Sequence, residues 1–518
     1  MQSRIAKLFP LALLTLVGIT ILIPIGRAQK SGAAFSPNIP KTWDEAAFKE
    51  WATPVAGLNV RPTHISVKEY YALPVENLKT YPVYYPGREP AGYWEMLQKV
   101  GPQPLIEPAK LRSEADWIEA GRNVFEAAEN FTFRTFDPEL IAAARNRATF
   151  GDNRPPLPGG TIPLLMWVPT KQGVALSLAN CAACHQPYRP DGTSVPGAPT
   201  TSMRFSFANV NELRGRIRSI NSLVDGGAPF FMGSAPLGMW LYQASAVPWR
   251  KDAANEQWKD MTEAEYNLIR DAFRASGGTP RWNGSLHYPA KTPDLIGIED
   301  RKYIDHTATH LHRGIGDLMR YAALVSFAED ADFGPHRMLS GGTKRVQARL
   351  PDEALYALAL YIYSLKPPPN PNPFDEQARA GERTFARTCA GCHTPPLYTN
   401  NQLTLAEGFT PPQDKPASLD VLPLSVGTDP GLALKTRKGT GYYKVPSLKG
   451  VWYRGRYLHD GSVASLEEMF NPDRLKDTHV PGGFIPAGVK TRAIKGHEFG
   501  LSLSAEERAE LIAFLRTL

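Results

Sequence analysis

The sequence predicts a mainly α-helical protein, and three observations carry the prediction. Two stretches share an amphipathic helical pattern with a glycine and a phenylalanine four residues apart, Gly121 with Phe125 and Gly381 with Phe385. Each half then closes on a further helix with an apolar stripe, while strand-like alternation is sparse throughout. Finally, one five-residue pattern occurs twice, as Cys181-Ala-Ala-Cys184-His185 and Cys389-Ala-Gly-Cys392-His393, and uses all four cysteines of the 518-residue chain.

C-x-x-C-H is the attachment signature of a c-type haem. Two thiols three residues apart add to the two vinyl groups of one porphyrin, and the adjacent histidine supplies the proximal iron ligand. Two covalently attached c-type haems follow, one on Cys181, Cys184 and His185, the other on Cys389, Cys392 and His393. A four-cysteine zinc site is the alternative, but zinc ribbons need no histidine after each pair and usually place their pairs closer together. Disulfides fit less well, because four cysteines cannot staple a chain of this length.

Taken in order, the chain opens on Arg4 and Lys7, an apolar run from Leu8 to Ile25, and Gly26-Arg27-Ala28. This is the form of a secretory signal over residues 1–28, cleaved after Ala28. The chain is then periplasmic or secreted, and it contacts a membrane only if this segment stays uncleaved. Loss of Arg4, Lys7 and Arg27 with the leader lowers the formal charge from +7 to +4, and haem propionates would lower it further, so the pI of 9.0 does not argue for nucleic acid.

Residues 36–108 are rich in proline and tyrosine and poor in periodicity, which suggests an extended arm packing its aromatics on the body. A first haem domain is expected over 109–365. Its helix, Ala115 to Glu129, is separated from Cys181 by a large insert. Pro351-Asp-Glu353 starts its closing helix, Leu355 to Leu365. The run Lys366-Pro-Pro-Pro-Asn-Pro-Asn-Pro373 is a stiff linker and marks the boundary. In the second haem domain, 374–518, a helix from Asp375 to Arg387 runs straight to Cys389, and Ser504-Ala-Glu506-Glu507 starts the helix Leu511 to Leu518. The two halves look like an ancient repeat with different inserts.

The stretch Tyr443-Lys-Val-Pro446-Ser-Leu448 through Trp452 and Tyr457-Leu-His459-Asp460-Gly461 to Leu466-Glu467, together with the two motifs, resembles the bacterial di-haem cytochrome c peroxidase and MauG superfamily. The 208 residues between His185 and His393 and the segment Asp305 to Tyr321 are most similar to the rubber oxygenase-like branch. The part after the second motif is shorter than in rubber oxygenases, and the resemblance is not extended to polyisoprene cleavage. It implies a fold of two cytochrome c-type haem domains, here with large inserts and an extended N-terminal arm. It also implies a division of labour, one haem open to peroxide or dioxygen and the other six-coordinate and moving electrons.

His459, Met469, His479 and His497 could each reach the second iron. His497 is preferred because it sits just before the closing helix, where superfamily members bring a distal ligand. The resemblance gives His459 a hydrogen-bonding role near that haem, Met469 reads as core, and Ile494 stands where the compact peroxidases offer a methionine. For the first haem, His306, His310, His312, His336, Met203, Met232 and Met239 are open alternatives. His306 and His310 would share a face if they lay on a helix. The resemblance favours an open distal side at His185, with Arg313 and Arg320 as partners for propionates or bound oxygen species. It also suggests an aromatic relay between haems, for which Trp282 is the candidate. Phe205, Phe207, Phe230, Phe231 and Trp240 could line a channel, although core packing explains such residues equally.

These expectations describe a di-haem oxidoreductase whose partners are a small-molecule oxidant, peroxide or dioxygen, and an external electron donor, with no nucleic acid. A passive di-haem electron carrier or the haem subunit of a respiratory or dehydrogenase complex is the alternative, and two six-coordinate haems would be enough for it. No nucleotide, flavin or phosphate-loop signal accompanies the motifs.

Overall fold

The computed structural model describes residues 35–127, 134–146, 158–178, 180–189, 193–200, 247–250, 252, 256, 260, 262, 264–265, 268–269, 272, 287–326, 331–336 and 348–518. The leader, Trp282, the methionines at 203, 232 and 239, and the aromatics from Phe205 to Trp240 lie outside them. No helix among the described residues is long and apolar enough to cross a membrane.

Two helix pairs organise the chain. In the first, Glu114–Glu126 packs on Asp352–Ser364; in the second, Glu376–Thr388 packs on Ala505–Arg516. Local chemistry starts these helices where the sequence suggested. Ser113 forms a reciprocal capping box with Asp116, Ser504 forms one with Glu507, and the Asp375 carboxylate accepts from Ala378 N–H.

The two crossings share one register. A Cβ placed on Gly121 would lie 1.9 Å from the Ala357 carbonyl oxygen and 2.8 Å from Tyr361 Cβ. On Gly381 it would lie 1.9 Å from the Glu510 carbonyl oxygen and 2.9 Å from Phe514 Cβ. Only glycine permits such backbone contact. One turn beyond each glycine an aromatic pair locks the crossing, Phe125 with Tyr361 at 5.3 Å between ring centroids and Phe385 with Phe514 at 5.1 Å. The repeat inferred from sequence is therefore a repeat of packing.

Around the first pair lies a large core that the 36–108 segment helps to fill. Trp43, Trp51 and Tyr70 are buried in it, with Trp43 stacked on Tyr70 at 4.5 Å. That segment is more structured than an extended arm. It carries the short helices Glu45–Phe48, Val67–Ala72 and Tyr93–Val100, and the strand Tyr81–Tyr84.

Sparse strand content was the expectation, and the insert before Cys181 departs from it. Tyr81–Tyr84, Thr161–Thr170, Gly173–Leu178 and Arg134–Thr135 form an antiparallel sheet in that spatial order. Leu165, Trp167, Val174 and Leu176 line its core, but Val168 and Ala175 on the opposite phase are also buried. With both faces covered, the polar-apolar alternation that reveals a strand is lost. The second pair has its own core of Phe385, Val463, Met469, Ile494, Leu511, Phe514 and Leu515. Between the pairs in sequence, 366–373 holds no helix or strand, and the amides of Asn370 and Asn372 donate to the Arg516 carbonyl.

Candidate functional site

At the second motif the helix Glu376–Thr388 continues as a turn. Cys389 N–H donates to Phe385 O, and His393 N–H donates to Cys389 O at 2.9 Å. None of the four cysteines, Cys181, Cys184, Cys389 and Cys392, is in a disulfide. His393 Nδ1 lies 3.1 Å from Pro446 O and 3.3 Å from Tyr398 O. Donation to these carbonyls fixes the proton on Nδ1 and leaves the Nε2 lone pair for a metal. Burial pushes the His393 pKa down, against the pull of the two carbonyls, so the ring is held neutral as ligation requires.

His497 faces it. The two rings are 6.2 Å apart between centroids. An iron bound to two imidazoles at about 2 Å each separates ring centroids by roughly 6 Å. His497 Nδ1 is buried with no hydrogen-bond partner among the described residues, an arrangement that is costly unless another group is present. Burial and the neighbouring His393 push the His497 pKa down to about 4. These residues fit a covalently held haem with two axial histidines.

Arg474, which the sequence gave no reason to single out, holds His497 in place. It is fully buried, and its guanidinium donates to the carbonyls of Met469, Ile494, Gly496 and His497, the last at 2.8 Å. The loop needs that support because His497 itself has φ of 48°, and a Cβ on Gly496 would come within 2.2 Å of the Gly427 backbone.

His459 stacks on Tyr443 with centroids 4.4 Å apart. The Tyr443 hydroxyl donates to Asp429 O at 2.7 Å and so accepts from His459 Nε2 at 3.2 Å. That imidazole offers a hydrogen bond, not an Nε2 lone pair. His479 is paired with Glu468 at 2.9 Å, and Met469 and Ile494 are core.

At the first motif Cys181–His185 forms a short helix, begun by Asn180, whose side chain caps Ala183 N–H and donates to Glu126 O. The far end of the helix Glu114–Glu126 thus anchors the motif across a separation of 54 positions in sequence. Gly197 N–H donates to His185 O and Thr200 N–H to Cys184 O.

The histidine cluster does not lie on a helix, which corrects the shared-face expectation. Tyr303–Ile304 and His310–Leu311 are short antiparallel strands, and Asp305 and Ala308 between them have φ of 54°. Asp305 drives this turn by accepting from the backbone of Thr307 and Thr309. His306 Nε2 lies 2.9 Å from Lys291 O. Both nitrogens of His312 are engaged, Nδ1 with Arg301 O and Nε2 with the Tyr363 hydroxyl. His310 packs on Trp51 with its Nδ1 at Thr309 Oγ1, and His336 packs beside Trp249.

Arg313 and Arg320 are directed to Asp317. Arg313 also donates to Ala47 O and Lys49 O, closing the end of the helix Glu45–Phe48, and Arg320 lies over the Trp51 ring. These contacts leave the two guanidiniums serving the fold.

Residues 441–479 match the family described as RoxA-like, cytochrome c-like. The resemblance to the di-haem cytochrome c peroxidase and MauG superfamily, on its rubber oxygenase-like side, holds for this stretch, which carries Tyr443, Pro446, His459 and Arg474. No curated protein matches the chain. Among solved structures, a MauG-like protein associated with microbial copper homeostasis shares 19% identity at a TM-score of 0.26, covering 50% of this chain and 89% of its own. Hydrazine synthase of Kuenenia stuttgartiensis shares 15% identity at a TM-score of 0.24, covering 44% and 72%. Superpositions this loose bear on neither fold nor function.

Proposed function

We propose that the chain is an exported di-haem c-type oxidoreductase in which the haem at His185 meets peroxide or dioxygen and the haem at His393 stores or relays electrons. When bound, each haem supplies an iron that changes oxidation state, and its axial ligands decide which of the two tasks it performs. The observation that carries the reading is the gap of 6.2 Å between His393 and His497. At that spacing the two imidazoles could hold one haem iron between them, and an iron so saturated would exchange electrons with little rearrangement.

The chain's own residues keep that centre rigid. Pro446 and Tyr398 orient His393, Arg474 holds His497, and Tyr443 fixes the plane of His459. On the first side, His306 and His312 spend nitrogens on backbone carbonyls and Tyr363, which supports an iron left open to a small oxidant. Exported localisation is supported by the two C-x-x-C-H motifs, because c-type haem is attached outside the cytoplasm.

Stopped-flow spectra of the holoprotein with peroxide, and of the half-reduced holoprotein with dioxygen, test this reading. A change in one of two haems is expected. Two haems inert to both oxidants would overturn it and leave a passive electron carrier.

A further inference from the structure

Four cations, Lys291, Arg301, Lys444 and Arg454, converge on one another from segments far apart in sequence. Lys291 N–H donates to His459 O, His306 Nε2 lies against Lys291 O, and Lys444 N–H donates to His306 O, so two backbone bonds and one imidazole link Lys291, His306, Lys444 and His459. Arg301 and Arg454 flank one carboxylate, Asp294, at 3.9 and 3.7 Å. Arg454 also donates to Ser447 O, next to the Pro446 that orients His393, and its charge is felt at His393.

The charges do not balance. Against Lys291, Arg301, Lys444 and Arg454 stand Asp294, already shared with the Tyr453 hydroxyl, and Asp305, which also faces Lys438. Asp300 is turned outward to Lys449. Lys291 Nζ makes no hydrogen bond or ion pair among the described residues, and Lys444 Nζ reaches only Tyr303 O at 3.3 Å. Burial with repulsion from the other cations pushes Lys444 down to about 7 and Lys291 to about 8. Both residues are intermediate in exposure, not fully covered. Uncompensated cations in such a place call for anions.

We propose that Lys291, Arg301, Lys444 and Arg454 form a carboxylate-binding site that takes the two propionates of the haem carried by Cys389, Cys392 and His393. With Lys438 on Asp305 the cations outnumber the two carboxylates by more than two, so the two negative charges that one haem brings would be accommodated without overfilling the site. The site rests on the di-haem reading above, and it assigns these residues a role in setting the potential of the electron-relaying haem. A cation beside a haem favours the reduced, less positive iron.

The test uses the full-length holoprotein as wild type, Lys291→Met, Lys444→Met and the matching Lys→Arg variants. Haem is first counted by pyridine haemochrome, then potentials are read by spectroelectrochemistry and propionate bending bands by resonance Raman. A wild type without haem at Cys389 to His393 would overturn the di-haem reading, and this inference with it, before any potential is measured. With two haems present, the low-spin potential is expected to fall in both Met variants, the propionate bands to shift, and both Arg variants to stay near wild type. Unchanged potential and bands in both Met variants would overturn the site, as would wild-type bands typical of solvated propionates. A wild-type potential that moves on adding acetate or phosphate would also overturn it, because the cluster would then serve a free anion.

Discussion

The two helix pairs cross alike and end differently. Gly121 meets Ala357 and Tyr361 as Gly381 meets Glu510 and Phe514, but only the second pair delivers its motif directly, with Cys389 capping the helix that carries Gly381. The first pair reaches Cys181 across a sheet, and the histidines His306, His310 and His312 are held by backbone carbonyls, Thr309 or Tyr363. The same crossing therefore presents its motif in two ways, directly from the helix at Cys389 and through an insert at Cys181.

The largest expected effect breaks one site at a time. Cys392→Ala should lower the haem count by pyridine haemochrome from two to one while sparing the first motif, and Cys184→Ala should do the converse. Equal loss of both haems in either variant would show that the halves do not load independently.

If the crossings are equivalent, they should fail equally. Gly121→Ala and Gly381→Ala each drive a methyl into a carbonyl oxygen, so each should destabilise by about 1–3 kcal/mol or more in thermal or denaturant unfolding. A clear difference between them would mean that one pair relaxes where the other cannot.

The asymmetry is sharpened by Arg474→Met, which leaves four buried carbonyls without their donor and should cost about 1–3 kcal/mol. It should also free His497, seen as loss of low-spin character at the second haem with the haem count unchanged. Lys at this position should not rescue, since an ammonium cannot serve the same fork of acceptors.

A smaller effect concerns acid. His497 is held to about 4, whereas an unfolded histidine titrates near 6.5. Between these values the unfolded chain binds more protons, so stability contributed by keeping His497 neutral is present above about 6.5 and is lost as pH falls toward 4, by at most about 1.4 kcal/mol per pH unit. Denaturant midpoints from pH 7 to 4 should show a shallower slope in His497→Met than in wild type.

What the sequence made legible follows from how local each signal is. The motifs, the caps at Ser504 and Asp375 and the glycine-phenylalanine offsets are written within a few residues, and they appear where expected. The strands Thr161–Thr170 and Gly173–Leu178 were hidden because both their faces are covered. His306 and His310 misled because an i, i+4 spacing suits a helix, whereas Asp305 turns the chain there. Arg474 and the Lys291 to Arg454 cluster gain their roles only through contacts across separate segments, which no spacing encodes. Lys444 and Arg454 did lie inside the stretch that carried the resemblance, but nothing local distinguished them from surface cations.

The most direct measurement of the proposed division between the two irons is an EPR spectrum of the air-oxidised holoprotein, recorded alone and with added imidazole. One low-spin signal that imidazole leaves unchanged, from the iron between His393 and His497, beside a second signal that is high-spin or converted by imidazole, is the result expected. Two low-spin signals that imidazole does not alter would contradict it, because both irons would then be saturated by the protein.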